Sequence, residues 1–477
     1  MKKIVSSLLC LMTALFLGIA QAAQIDGLQN NGGPGLPSEL GVYVNPGHLG
    51  DALIGGYYNA RNAITQISIV NTSDTQGVAV KVRFREGKFS NEVLDFYVCL
   101  SAGDRWTAWV TGDNDPTNPA VVFPVDDDTP TYPAFGALGE PMKYGTSMAP
   151  CVTADMTKEG YFTVIGAQSW ADVPGNRVID TCDKCGEQLI GTAEVDASNF
   201  DQMTGDALDG PVDALAGTVN IWDYVNGASD YSYNMLALSN FLDNPLEDLS
   251  LAVDSSPLFD DSDTNGAYDG IDAVNFVLMR ANMIAFYDIR SWLGGAESDI
   301  IITFPTKRET LGAGSQNPFQ PSPADSVCNW DDRANYPDFC EPVQFTLWDD
   351  EENKCGCEES GFSPREYQCD DSLDLCHEVN YIVIGEGAES ILNSILTQNL
   401  WCDDPDYPFD IGWINFAFDW TGGITPCPDN RVITLDATPS VSSYGLPALG
   451  YELGSIVEGW WGHMLELRYS TNVEGVN

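Results

Sequence analysis

Positive charge and histidine are what this chain has least of. Its 477 residues hold 21 lysines and arginines against 70 aspartates and glutamates, and only three histidines. The resulting net charge of −49 repels polyanions, which excludes nucleic acid and anionic membrane surfaces as partners. It favours cations, calcium above all, or a saline medium that screens the self-repulsion. Past the N-terminus there is no second apolar run of about 18 residues, so no membrane-spanning helix is expected. No Cys-x-x-Cys-His segment occurs, which excludes covalent c-type haem. No internal repeat of fixed period is present.

What is present at the start reads as an export signal. Met1-Lys2-Lys3 is a short positive head, residues 4–19 form an apolar core, and Ala20-Gln21-Ala22 supplies small residues for cleavage. Cleavage is expected after Ala22, with the periplasm, the cell surface or the medium as destination. Cys10 lies inside the apolar run rather than just after it, so it is not placed to accept a lipid. Setting Cys10 aside leaves twelve cysteines: Cys99, Cys151, Cys182, Cys185, Cys328, Cys340, Cys355, Cys357, Cys369, Cys376, Cys402 and Cys427. An even set in an oxidising compartment reads as a disulfide framework. Each bridge would contribute about 2–4 kcal/mol, mostly by constraining the unfolded chain.

The pattern along the chain is mainly β with a few helices. Residues 23–55 are rich in Gly, Pro and Asn and read as an extended lead-in. Short alternating segments follow at 64–70, 78–85, 93–100 and 105–111, separated by turn compositions such as Asn71-Thr-Ser-Asp and Ser101-Ala-Gly-Asp. Further strands are expected at 160–165, 219–225 and 229–236, the last two joined through Asn226-Gly227, a strong hairpin signal. This makes 56–250 a β-sandwich of immunoglobulin-like type. Residues 251–477 read as a second β-rich domain with strands at 299–304, 343–348, 379–384, 411–418 and 464–469. Helical periodicity predicts two helices there, one carrying Ile271, Val274, Val277, Leu278, Ala281, Ile284 and Ala285, the other over 388–400. The cysteine-dense stretch 328–376 has too little apolar content to fold unaided. Cys340 and Cys376 each precede a predicted strand, which suggests a cross-strand pair.

Several segments together resemble a group of uncharacterised exported proteobacterial proteins: VNTSDTQGVAVKVRFREG with VLDF and LSAGDRW, then TFPTKR, WDDEEN with GFSP, and GLPALGY. The resemblance implies export and a β-rich architecture, and assigns no catalytic residue. A second, local resemblance covers twelve residues. Asp261, Asp263, Asn265, Asp269 and Asp272 stand at positions 1, 3, 5, 9 and 12 of a loop with Gly266 at position 6, and Ala267 at 7 offers its carbonyl. This is similar to the calcium loop of dockerins and EF-hands, where a hard cation takes oxygen ligands at that spacing. Asp replaces the usual bidentate Glu at the last position, no second copy exists, and no entering helix precedes it. The competing reading is an Asp/Gly-rich linker capping the following helix.

Other segments carry less. Asp113, Asp115 and 126–128 lie in loops between predicted strands and could converge on a second cation. GTSMAP at 145–150 looks like the nucleophile segment of subtilisin-like proteases with one residue missing. Neither His48, His377 nor His463 sits in that family's histidine context, so acyl transfer by Ser147 is rejected. Cys182-Asp-Lys-Cys185 has redox spacing, but no thioredoxin-like pattern surrounds it, and a structural disulfide is expected. Zinc on Cys355, Cys357, Cys369 and Cys376 is the lesser alternative to disulfides. The twelve tryptophans and nineteen tyrosines suit a sugar-binding face as well as a core. The combined reading is an exported, non-enzymatic protein of surface structure, adhesion or assembly. Its partners would be itself, another surface protein or carbohydrate. The alternative is a secreted polysaccharide hydrolase using paired carboxylates.

Overall fold

Apolar and polar residues alternate along most of the strands, and burial follows them. In Arg105–Thr111, Trp106, Ala108 and Val110 are buried while Thr107, Trp109 and Thr111 turn outward. Where that period of two holds, one face of the strand packs on the core and the other turns outward. The computed structural model describes residues 42–125, 129–146, 151–171, 212–224, 229–241, 270–290, 295–308, 318–319, 340–351, 353–355, 358–359, 367–368, 372–402, 409–418, 431–435, 441–456 and 461–474.

Thirteen strands drawn from residues 43–239 make two antiparallel sheets. The seven-stranded sheet runs Tyr43–Val44, Leu236–Ser239, Ala52–Asn59, Glu159–Ala171, Gln76–Glu86, Glu92–Leu100, Thr131–Tyr132. The six-stranded sheet runs Ser229–Asn234, Leu215–Asp223, Ala63–Asn71, Arg105–Thr111, Val121–Pro124, Glu140–Pro141. Their inner faces share one cluster in which Phe84 meets Phe162 at 5.3 Å and Phe96 meets Trp106 at 5.6 Å between ring centroids. Each such side chain contributes about 1.5–3 kcal/mol on burial. The arrangement is sandwich-like, as expected, with thirteen strands where an immunoglobulin domain has about seven to nine.

The C-terminal half adds two five-stranded sheets. One runs Thr397–Leu400, Val379–Ile384, Glu297–Thr303, Leu449–Ile456, Trp461–Glu466; the other Ser372–Leu375, Glu341–Asp349, Ile411–Ala417, Asn282–Asp288, Arg468–Ser470. The first is buried on both sides. Ile300 and Ile302 turn to Ile414 and Phe416 of the other five-stranded sheet, whereas Ile301 between them joins the core of the N-terminal sheets with Tyr381 and Tyr451. Such strands read as continuous apolar runs.

The two halves meet through specific contacts. Thr303 Oγ1 donates to Gly56 O at 2.6 Å, and Asn59 Nδ2 to Leu392 O at 3.1 Å. Gly56 has no side chain for a reason: a Cβ there would come within 2.6 Å of the Tyr451 hydroxyl. The turn at 86–91 is folded around one buried carboxylate, since Glu86 accepts the backbone N–H groups of Lys88, Phe89 and Asn91. It docks on the other half, where Val379 N donates to Gly87 O at 2.8 Å and Arg308 Nη1 to Asn91 Oδ1 at 2.8 Å. The segments VRFREG, TFPTKR and GLPALGY thus converge on this junction.

The sequence-based expectations need four corrections. Strands begin before residue 64, at Tyr43–Val44 and at Ala52–Asn59, which is buried along its whole length and lacks alternation. The first predicted helix is real only over Gly270–Leu278, and Asn282–Asp288 is a strand with Met283, Ala285 and Tyr287 inward. The second predicted helix is not one. Residues 388–396 form turns, with Asn393 at φ 53°, before the strand Thr397–Leu400. Finally, 464–469 is split between Trp461–Glu466 and Arg468–Ser470 in different sheets. The expected Cys340–Cys376 pair is present and closes the strands Glu341–Asp349 and Ser372–Leu375. Cys355 is bonded to Cys402, which removes it from any zinc site. Cys99 and Cys151 are also disulfide-bonded, while Cys182, Cys185, Cys328, Cys357, Cys369 and Cys427 lie outside the described residues.

Basic side chains go inward. Among the described residues Arg61, Lys81, Arg83, Arg85, Lys158, Arg280, Lys307 and Arg431 are all buried. Nine carboxylates, among them Glu86, Glu159 and Asp299, are buried as well, so among the described residues burial takes the two signs off the surface in nearly equal number.

Candidate functional site

The predicted calcium loop lies almost wholly outside the described residues. Asp261, Asp263, Asn265, Ala267 and Asp269 are not described, and Asp272 is placed by its backbone alone, as third residue of the helix Gly270–Leu278. Ser147 and residues 126–128 are likewise outside. Among the described residues, no three His, Cys, Asp or Glu side chains gather to hold a metal.

The acidic loop 113–118 is described, and a buried lysine reaches it. Lys158, fully buried, donates from Nζ to Asp115 O at 2.7 Å and to Asp155 Oδ1 at 3.4 Å, with Asp113 Oδ1 at 3.9 Å. Arg61 adds a second charge at 2.6 Å from Asp155 Oδ1. Burial would raise the Asp155 carboxyl, but these two cations outweigh it and hold the carboxyl below its ordinary range. The loop closes on itself through Asn118 Nδ2 on Asp113 Oδ2 at 2.8 Å and Thr117 Oγ1 on Asp115 Oδ1 at 2.7 Å. Lys158 thus neutralises part of this loop, while residues 126–128, the other part of the expected cation site, lie outside the described residues.

Two other carboxylates, Glu159 and Asp299, are each 1% exposed at the junction of the halves. Glu159 accepts from the Tyr57 hydroxyl at 2.9 Å, from the Ser394 hydroxyl and from Ile395 N at 3.2 Å. Asp299 accepts from the Tyr381 hydroxyl and from Ile391 N, both at 2.7 Å. Burial raises both carboxyls, Asp299 to about 7. Their partners are one loop and two tyrosines, and both face protein rather than a substrate cleft. They clamp residues 391–395 in the shape that replaces the expected helix.

The outer face of the six-stranded sheet carries a row of partly exposed aromatic and amide side chains. The strand register sets Ser232, Asn220, Gln66, Trp109 and Phe123 in one row across five strands. Ser232 Oγ donates to Asn220 Oδ1 at 2.7 Å, and Asn220 Nδ2 to Gln66 Oε1 at 3.1 Å. The adjoining row carries Asp230, Trp222, Ile64, Thr111 and Val121. Trp222 meets Trp109 edge-to-face, 6.3 Å between centroids at 81°. Phe123 is 36% exposed at one end and Tyr224, just past Trp222, 50%. Burial and then the nearby Asp113 and Asp223 raise the Tyr224 phenol, which places the acidic loop beside this face. Aromatic rings next to a ladder of amides and hydroxyls can stack on apolar C–H surfaces and exchange neutral hydrogen bonds. The surrounding carboxylates disfavour any anion there.

The sequence alone could not separate outward from inward tryptophans. WTAWVT holds one of each, and only the pairing register reveals which two rings share a face. Comparison with protein-family models, with curated proteins and with solved structures found no match for this chain.

Proposed function

We propose that this protein is an exported, non-enzymatic component of the cell surface or extracellular matrix that adheres to neutral polysaccharide through the outer face of its six-stranded sheet. The observation that carries this reading is the Trp109–Trp222 pair at the end of the Ser232–Asn220–Gln66 ladder. A pyranose offers an apolar C–H face to such rings and hydroxyls to such amides. Disulfides stiffen the fold, as an oxidising destination allows, and a calcium ion at Asp261–Asp272 would anchor the loop before the helix. The hydrolase reading has less support, because Glu159 and Asp299 are committed to holding a loop.

Affinity electrophoresis of the mature protein through gels containing mixed-linkage β-glucan, xyloglucan or galactomannan tests the proposal. Retardation by at least one polymer is expected, with Trp109→Ala and Trp222→Ala each weakening it by about tenfold, the loss of roughly one stacking contact. Equal mobility of wild type in every gel would overturn it. So would variants that lose stability yet bind as wild type does, since the rings would then only brace the sheet.

A further inference from the structure

The outermost five-stranded sheet repeats this chemistry on a different surface. Its inner face is the one carrying Ile414 and Phe416; the other face has Phe286, Trp413 and Trp348 as direct register partners on three neighbouring strands. The indoles are parallel within 9° and 5.6 Å apart between centroids. Parallel rings at that separation are slid past one another in an offset stack, which leaves part of each face open. Phe286 is 47% exposed. The next rows supply neutral polar groups: Thr346 and Asn415 are partners, as are Asn282 and Ser470, with Asn282 Nδ2 donating to Ser470 Oγ at 3.2 Å.

Charge selects the occupant. The cations on this face are turned to rings, with Lys354 5.9 Å from the Trp348 centroid and Arg468 5.1 Å from that of Phe286. Arg290, just past the end of the strand that carries Phe286, is paired with Asp288, so these three cations are already engaged and offer little to an acidic polymer. Flat, aromatic and amide-bearing, with its nearby cations engaged by rings and by Asp288, the face matches a neutral glycan chain as the first one does. The two faces share no strand.

Resting on the adhesive reading above, we infer that Phe286, Trp413 and Trp348 form a second neutral-polysaccharide site, so that one molecule bridges two glycan chains. Bridging would be its contribution to a matrix, because linked sites raise apparent affinity by about 100-fold or more without any new contact.

The experiment uses the mature protein and the polysaccharide that retards it best, read by light scattering for cross-linking and by dissociation from a polymer-coated surface for avidity. Wild type is expected to cross-link. Trp413→Ala and Phe286→Ala should each abolish cross-linking and speed dissociation by about 100-fold, while electrophoretic retardation through the first face persists. Phe286→Ala, at a half-exposed position, serves if Trp413→Ala fails to fold. If both variants cross-link as wild type does, while Trp109→Ala removes all binding, the second site is overturned and the first stands. If wild type is retarded by no polymer, both fall together.

Discussion

Tyr381 donates its hydroxyl to Asp299 Oδ2 at 2.7 Å, and both groups are fully buried where the two halves of the chain join. The same oxygen accepts Ile391 N, so a single carboxylate ties a strand to the loop that follows it. On the far side of that loop, Glu159 does the same through Ser394 and Ile395.

This junction makes stability depend on pH. Burial lifts Asp299 to about 7 and raises Glu159 as well. A carboxyl whose folded pKa lies above its unfolded value binds its proton more tightly when folded. Its contribution is therefore complete below about pH 4 and is lost as pH rises through 7. A tenfold difference in proton affinity between the folded and unfolded chain corresponds to about 1.4 kcal/mol, so the loss amounts to a few kcal/mol. Asp299→Asn should flatten the profile of urea midpoint against pH between 4 and 8. An unchanged profile in that variant would remove Asp299 as its source.

Lys158 is the internal counter-ion of the acidic loop. Lys158→Met keeps the length of the side chain but leaves Asp113, Asp155 and the Asp115 carbonyl facing no ammonium. Because Asp155 is 23% and Asp113 58% exposed, the cost falls below that of a fully buried pair, at about 1–3 kcal/mol. Chemical denaturation of the variant should register a loss of that order, and one below about 1 kcal/mol would mean that Arg61 alone neutralises Asp155.

Calcium remains a proposal for Asp261, Asp263, Asn265, Ala267, Asp269 and Asp272. If the loop binds the ion, chelator lowers the melting temperature of wild type and leaves Asp261→Ala unaffected. Superimposable melting curves for wild type with and without chelator would discard the site.

Much of the strand content was legible because polar and apolar residues alternate in the sequence, even in Gln76–Glu86, which is buried on both faces. Ala63–Asn71, Gln76–Glu86, Glu92–Leu100 and Arg105–Thr111 alternate, and turn residues separate them. What misled was burial on both sides where that alternation is missing. Ala52–Asn59 has no polar face, and its Gly55-Gly56 reads as a break although close approach of Phe162 and Tyr451 demands it. At 388–400 the helical spacing of Ile391, Leu392, Ile395 and Leu396 is genuine, but two carboxylates more than 90 residues away capture the N–H groups that a helix would need. Of the candidate site, tryptophan and amide content was visible. Their grouping depends on registers spanning more than a hundred residues, such as Asn220 with Gln66.

The interleaved order of the seven-stranded sheet also sets a timetable. Tyr43 and Val44 pair with Ser239 and Leu238, and Ala52–Asn59 lies between that late strand and Glu159–Ala171. Ala52–Asn59 therefore has no neighbour until residue 159, and Tyr43–Val44 none until its partners Leu238 and Ser239 are made. Such long-range closure is slow. A newly made chain spends that interval with an open hydrophobic ribbon, and whatever escorts it must keep Ala52–Asn59 from pairing with a stranger.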